Sequence, residues 1–246
     1  MGLFSFIGSC ISAVGSFFSG ACKAASSIIS KIPVLGPMMG PITKPILDIA
    51  IKVGKAIFEG IVRIVSEVAK ILGIVPEKTE PDELGERARQ NPNIKRDDFE
   101  STDAFIKALQ EAPFDEAKFE EIKKNNPAEL MAATAIGLGI EQKAIEEKVK
   151  MAVPMEFFEA GFKGGMSSEN MKTVLTAMSN SGLRDAGVFA TYLAGGTLSS
   201  ANNEKLKAAF AENEKNGGMP ISQVETNLNN YKPPVEAGEA SAVQLA

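Results

Sequence analysis

The residues best suited to catalysis in this sequence are Glu156 and Glu159, which flank the aromatic pair Phe157 and Phe158. Two carboxyl groups can cleave a glycosidic bond, one as an acid and the other as a base or nucleophile. Two solvated surface glutamates explain the same pattern more simply. The chain also lacks histidine, which removes the usual general base and nearly every zinc site. We therefore predict no catalytic or metal-binding residues and expect that the protein is not an enzyme.

Neither the glycines nor the cysteines indicate a cofactor. Gly137 and Gly139 match the first two glycines of a dinucleotide-binding loop, but the third glycine and the preceding strand are missing. The end of a helix followed by a short turn explains them better. Cys10 and Cys22 would lie about 18 Å apart on one helix, too far for a disulfide. We expect buried free thiols and no cofactor.

The element around which the chain is organised runs from Ile46 to Val75. Its charged residues fall at positions 48, 52, 55, 59, 63, 67 and 70, in steps of three or four. On a helix these positions share an arc of roughly 120°, which leaves about two thirds of the surface apolar. We predict one amphipathic helix about 30 residues long between Pro45 and Pro76. The side chains on it that we expect to face a membrane are Ile57, Ile61, Ile64 and Val68.

The first segment, from Gly2 to Cys22, has no charged residue and is long enough to cross a hydrocarbon core of about 30 Å. Small side chains recur every four residues, which on a helix makes a ridge that another helix backbone can approach closely. This small-residue ridge consists of Gly8, Ser12, Ser16, Gly20 and Ala24. The side chains expected to face lipid are Phe4, Phe6, Ile7, Ile11, Phe17 and Phe18. Because glycine costs roughly 1 kcal/mol in a water-soluble helix, the composition favours lipid or a conformational switch over the alternative, a small-residue seam in a helical core.

Between these two segments a proline recurs at every fourth position, at Pro33, Pro37, Pro41 and Pro45. Each proline lacks a backbone donor and biases the residue before it toward extended geometry, so we predict that no continuous helix passes through them. The prolines then form an apolar hinge. Residues 1–75 become a hydrophobic and amphipathic helical hairpin that inserts into a bilayer as a unit.

After residue 75 the composition becomes that of a soluble protein. Residues 76–98 are rich in charge of both signs and predict a solvated linker. Residues 99–214 contain eight short helical patterns with polar caps and glycine ends, and predict a compact multi-helix domain. Residues 215–246 are rich in Gly, Asn, Pro and Glu and predict a disordered tail. The predicted fold class is all-α, with the hairpin before the compact domain.

Methionines are concentrated in the predicted multi-helix domain. Flexible thioether side chains fill irregular gaps in helical cores and also line adaptable binding grooves. We favour gap-filling over a groove. The methionines concerned are Met131, Met151, Met155, Met166, Met171 and Met178.

Charge is distributed unequally along the chain. Residues 1–75 carry seven basic and three acidic residues, a net of +4, and the remainder carries 19 basic and 28 acidic residues, a net of −9. A basic apolar part joined to an acidic polar part indicates that the two meet different surroundings. The acidic part has no basic stripe, so we expect no nucleic-acid partner. A secretory signal peptide would begin with basic residues, whereas the first lysine is residue 23. We expect synthesis in the cytoplasm followed by delivery to, or insertion into, a membrane.

In composition and layout, the first third of the chain resembles the membrane-targeting effectors of bacterial type VI secretion machines and is similar to the hydrophobic hairpins of pore-forming bacteriocins. The resemblance implies a membrane-permeabilising toxin or secreted effector that acts on a lipid membrane through residues 1–75. Because so large an apolar surface aggregates in water, we expect self-association, a chaperone or a delivery protein to shield it. The same class allows a neutralising partner. Two alternatives stay open: a scaffold protein whose hairpin packs in a helical assembly, and a hydrolase recruited to a membrane.

Overall fold

The computed structural model describes residues 14–30 and 36–233, and this part of the chain is helical. It contains twelve α-helices, a short 3-10 turn at Arg96–Asp98, and one isolated parallel bridge between Ala152 and Asp185, but no strand. The predicted all-α class is confirmed. The contacts group the chain into two units, and the division falls within two long helices that each contribute to both units. These bounds differ from those of the predicted domains.

Unit 1 takes in the chain up to Val62 and from Glu77 to Glu141. Its helices begin at side-chain caps where the sequence offers them: Ser101 accepts a hydrogen bond from the amide of Ala104, and Asn126 accepts one from the amide of Glu129. The helices are α1 (Val14–Ile29), α2 (Gly36–Val53), the first part of α3 (Lys55–Ile71), α4 (Pro81–Gln90), α5 (Thr102–Glu111), α6 (Glu116–Asn125) and the first part of α7 (Pro127–Val149).

Unit 2 comprises residues 63–76 and 142–232. Phenylalanine rings form the centre of its core, with Phe189 lying 5.3 Å from Phe157 and 6.1 Å from Phe210 between ring centroids. Of the six methionines, the five in this unit are buried, and Met131 is buried in unit 1, as gap-filling requires. Besides the ends of α3 and α7, its helices are α8 (Met155–Lys163), α9 (Ser168–Asn180), α10 (Gly187–Leu193), α11 (Ser200–Lys215) and α12 (Ile221–Asn229).

The single helix predicted from Ile46 to Val75 is two helices. Gly54 separates α2 from α3 with a backbone φ of +76°, a left-handed conformation that glycine adopts without strain. Phe58 still donates its amide to the carbonyl of Gly54 at 3.1 Å, so α3 begins directly after the break. The apolar periodicity of the sequence continues through Gly54. The pattern alone therefore predicts one helix and does not show the break between α2 and α3.

The predicted proline hinge is also wrong in its described part. Pro37, Pro41 and Pro45 all lie within α2, whereas Pro33 lies outside the described residues. A spacing of four places the missing N–H donors along one line of the helix. Residues between the prolines keep their donors, so a helix forms where the sequence predicted none.

Residues 76–98 are not simply the solvated linker that their charge predicted. Pro81 begins helix α4, and the face of α4 that carries Asp82, Leu84, Gly85, Glu86 and Ala88 is buried. Proline in the first turn, followed by acidic residues, is a helix-start signal. The composition of residues 76–98 did not predict a buried helix, because two of the buried side chains, Asp82 and Glu86, are acidic.

Two further boundaries differ from the sequence-based prediction. The glycines at 137 and 139 lie inside α7, so they do not mark the helix end and short turn that the sequence predicted there. The tail predicted to be disordered from residue 215 contains α12, which docks through Val224. A Cβ on Gly164 would lie only 2.5 Å from a methyl carbon of Val224. The side chain of Val224 therefore packs in the space that the missing side chain of Gly164 leaves. Residues 234–246 lie outside the described residues.

Candidate functional site: the exposed face of α1

Helix α1 carries the described part of the small-residue ridge. Ser16, Gly20 and Ala24 lie on α1, and the latter two are exposed. At about 100° per residue, Phe17, Gly20 and Ala24 share one side of the helix, and Phe17 is the most exposed large apolar residue described, with 53% of its surface accessible. A Cβ added at Gly20 would meet no atom within 4 Å. On the exposed face of α1, Phe17, Gly20 and Ala24 therefore form an open, uncharged patch, which the exposed side chains of Ser27 and Lys23 border. The other predicted residues of the segment, Phe4, Phe6, Ile7, Gly8, Ile11 and Ser12, lie outside the described residues.

The opposite face of α1 packs into unit 1. Phe18, Cys22 and Ile29 are buried, and the ring of Phe18 lies 6.2 Å from that of Phe58 on α3. The prediction that Phe18 faces lipid is thus wrong for the folded chain. Cys22 is a free thiol, as predicted, and burial raises its pKa to about 11. Cys10 lies outside the described residues.

The side chains of α3 that were predicted to face a membrane lie in the protein core. Ile57 and Ile61 are buried in unit 1, and Ile64 and Val68 are buried in unit 2. Ile61 and Val68 have no accessible surface. The wide apolar face of α3 is accordingly covered by protein on nearly all sides, and the prediction of lipid contact is wrong for this conformation. In sequence alone, a helix that is buried in protein and one that is buried in lipid have the same apolar periodicity.

A half-open cavity of about 180 Å³ lies where the end of α1 meets α2. It is smaller than the roughly 300 Å³ at which small-molecule sites begin. Its lining combines apolar side chains with hydroxyl groups and one lysine: Ser26, Ile29, Ser30, Thr43, Lys44 and Leu47. The cavity is therefore a gap in the packing between the end of α1 and α2, and it is too small for a ligand pocket.

The two glutamates that suggested a hydrolase do not form a shared site. Glu156 is exposed in the first turn of α8, whereas Glu159 is only 6% exposed and its Oε1 lies 2.6 Å from Nζ of Lys163. A carboxylate held in an ion pair is a poor general acid, because the cation favours its charged form. Within the described ranges, no group of three or more His, Cys, Asp or Glu side chains is arranged to hold a metal ion.

The most unusual electrostatic feature of unit 1 is a pair of buried acids on α4, Asp82 and Glu86, which are 3% and 1% exposed. Glu86 is satisfied: Arg89 donates to its Oε2 at 2.6 Å and also reaches Glu129 at 3.2 Å. Even so, burial raises the pKa of Glu86. Sequence analysis missed both acids because their segment resembles a solvated linker. The spacing of Leu84 and Ala88 by four residues was the one sequence pattern that indicated a buried helix face there.

Desolvation raises the pKa of Asp82 to about 6, and nearby Lys123 only partly offsets that effect. One oxygen of the carboxyl accepts a hydrogen bond from the amide of Glu83 at 3.0 Å. The other oxygen is buried and has no hydrogen-bond partner. An ionised carboxylate in this position is costly, because a buried charge needs a partner or water.

Comparisons of this chain with protein families, with characterised proteins and with solved structures find no match. No helix in the described part of the chain has both the length and the apolar character that crossing a bilayer requires.

Proposed function

We propose that this protein is a membrane-inserting toxin or secreted effector that makes its first contact with a lipid membrane through the N-terminal segment and the exposed face of α1. The observation that carries the proposal is the position of Phe17, which is 53% exposed beside Gly20 and Ala24, with the exposed cation Lys23 at the border of this patch. Residues 2–13, which precede α1 in the sequence, carry no charge. Such a face is suited to partition into a membrane and to meet another helix there.

The charge of this part of the chain supports the same proposal. Lys23 and Lys44 are exposed on α1 and α2, and residues 1–75 carry a net charge of +4. Each basic residue near an anionic bilayer contributes about 1 kcal/mol of attraction. Anionic membranes are therefore the preferred targets of this surface.

The buried state of α3 adds a second stage to the proposal. Because Ile61 and Val68 are fully buried, α3 contacts lipid only after it leaves the protein core. Storage of an apolar helix inside the fold keeps it from aggregating in water. It thereby reduces the need for a shielding partner, although α1 still presents a face that a chaperone, a delivery protein or a second copy of the chain can cover. Delivery of the folded chain from the cytoplasm and a neutralising partner both belong to this proposal.

Dye release from vesicles tests the proposal with two substitutions in the full chain. Phe17→Asp places a charge on the exposed face of α1, and Ile51→Asp does the same at the other exposed large apolar residue, on α2. Burying an aspartate in lipid costs about 3 kcal/mol, which is roughly a hundredfold in binding. We expect Phe17→Asp to abolish leakage from vesicles containing phosphatidylglycerol and Ile51→Asp to leave it nearly unchanged.

Circular dichroism of both variants should match that of the parent chain, because both positions are exposed. Leakage by Phe17→Asp that equals that of the parent would contradict membrane contact through α1. Absence of leakage by the parent chain from anionic and neutral vesicles alike would contradict the membrane function itself.

A scaffold function is the second candidate, and the burial of Ile57, Ile61, Ile64 and Val68 favours it. A core helix needs no lipid to explain its apolar face. In that case the exposed face of α1 pairs with a second copy in water. Sedimentation equilibrium would then give an oligomer that Gly20→Leu dissociates, and vesicles would not leak.

A further inference from the structure

Helices α4 and α7 of unit 1 cross with their backbones in contact. A Cβ on Gly85 would lie 1.8 Å from the carbonyl oxygen of Ala133, and a Cβ on Gly137 would lie 1.7 Å from the carbonyl oxygen of Pro81. Glycine on both sides of a crossing permits this approach. The crossing therefore has no room for a side chain between the two backbones.

Asp82 lies three residues before Gly85 on α4, next to this crossing. Its side chain is 97% buried, and one carboxyl oxygen has no hydrogen-bond partner. The neutral acid costs much less to bury at this position than the carboxylate, because an unpaired buried charge costs far more than one unpaired neutral polar group. Ionised Asp82 obtains further donors from water only if α4 moves away from its neighbours.

The charged groups around Asp82 do not supply a replacement partner. On α4 and just before it, Glu83 is paired with Arg87, and Glu80 raises the pKa of Asp82 further. On α6, Lys123 is the one cation that favours the charged form, but its Nζ lies 2.7 Å from Glu120. Residues 130–140 of α7 carry no charge, and the next residue, the fully buried Glu141, lies one turn after Gly137 and is an acid, so it offers no cation to Asp82. On α5, which packs against α4, the charged residues Asp103, Lys107 and Glu111 are exposed.

The second buried acid of α4 does not substitute for Asp82 in this role. Glu86 is held by Arg89 and by the side chain of Gln90, which donates to its Oε1 at 3.2 Å. Lys118 also favours its charged form, and Glu129 opposes it. Glu86 thus has the partners that Asp82 lacks.

We propose that α4 is a pH-dependent latch in unit 1, which docks on α7 when Asp82 is protonated and is released from it when Asp82 ionises. The latch stands independently of the membrane function, because it depends only on contacts within unit 1.

The direction of the latch follows from linkage. Burial places the pKa of Asp82 at about 6 in the docked state, above the ordinary pKa of 3.8 for a solvated aspartate carboxyl. The docked state therefore binds the proton more tightly, and its advantage is fully present below pH 3.8 and is lost as the pH rises through 6. Between pH 5 and pH 7 the population of the released state should rise roughly tenfold. Acid closes this latch, and neutral pH loosens it.

Native-state hydrogen exchange of the full chain tests the proposal. Amide protection of residues 84–90, corrected for the intrinsic pH dependence of exchange, should fall roughly tenfold from pH 5 to pH 7 in the parent chain. In Asp82→Asn the fall in protection should shrink to the smaller part that Glu86 contributes, because burial raises the pKa of that carboxyl as well. The matched control is Asp103→Asn, since Asp103 is also an aspartate in the first turn of a unit 1 helix but is exposed. It should behave like the parent chain.

Equal protection of α4 at the two pH values in the parent chain, or an unchanged pH dependence in Asp82→Asn, would overturn the latch. If Asp82→Asn does not fold, carboxyl carbon NMR of the parent chain decides the matter. A titration of Asp82 near pH 6 supports the proposal, and one near pH 4 refutes it.

Discussion

A pair of glycine substitutions gives the strongest test of the fold, because the same chemical change is expected to have opposite effects at two helical positions. Gly85 lies at the crossing of α4 and α7, whereas Gly20 lies on the exposed face of α1. Alanine in a helix is more stable than glycine by about 1 kcal/mol. At Gly20 the new methyl group meets nothing within 4 Å, so Gly20→Ala should stabilise the protein by roughly 0.5–1 kcal/mol.

At Gly85 the gain in helix propensity is outweighed by a clash between backbones. The new Cβ would lie 1.8 Å from the carbonyl oxygen of Ala133, and real Cβ contacts are essentially never shorter than 3.0 Å. The helices must therefore separate by roughly 1.2 Å in a close-packed interior that has few voids to absorb the movement. Overpacking of this kind costs about 3 kcal/mol when no flexible side chain can yield. After the propensity gain of about 1 kcal/mol, we expect a net loss of about 2 kcal/mol.

Urea unfolding followed by circular dichroism measures both effects. With a urea dependence of about 3 kcal/mol per molar, Gly85→Ala should lower the midpoint by roughly 0.7 M, and Gly20→Ala should raise it slightly. Gly137→Ala should repeat the loss, because its Cβ meets the carbonyl oxygen of Pro81 at 1.7 Å. If Gly85→Ala and Gly20→Ala shift the midpoint in the same direction by similar amounts, the close crossing of α4 and α7 is refuted.

Two further predictions concern buried groups. Because Cys22 has no accessible surface and burial raises its pKa to about 11, it should react with a thiol reagent at pH 8 only at the rate of unfolding. Peptide mapping separates its label from that of Cys10, and fast labelling of Cys22 itself would contradict its burial. Val224→Ala should weaken the packing of α12 against Gly164, since the truncation leaves a cavity that costs about 2 kcal/mol. Limited proteolysis should then remove the chain beyond residue 216 faster than in the parent. The exposed neighbour Gln223 provides the control, and Gln223→Ala should leave the proteolysis rate unchanged.

Local signals in the sequence predicted most of the helices after residue 99. Ser101 and Ser167 are helix caps in the structure, as expected, and their hydroxyls accept hydrogen bonds from amides three residues later. Gly182 and Gly195 follow helix ends with φ of +78° and +71°. These signals act over three or four residues, so they are readable without knowledge of the fold.

The residues predicted to face lipid or another helix fall on different sides of α1. Phe17, Gly20 and Ala24 are exposed, and their contact with lipid or a second helix stays a prediction, whereas Phe18, one residue further, is in the core. The periodicity of α1 gave two apolar sides, and a sequence does not say which of the two another helix will cover. The buried acids of α4 escaped sequence reasoning because charge usually indicates solvent.

The sequence by itself determined the all-α class, the caps and the apolar periodicity of α3, since each depends on neighbours within one or two turns of helix. Tertiary structure alone decided that α3 is covered by protein, that Gly54 divides the long amphipathic pattern, and that Asp82 is buried beside a glycine crossing. Those outcomes depend on residues distant in the chain: the crossing brings Gly85 onto Ala133, 48 positions later. Apolar periodicity indicates that one face of a helix is buried. Only the packing of the other helices determines which residues bury it.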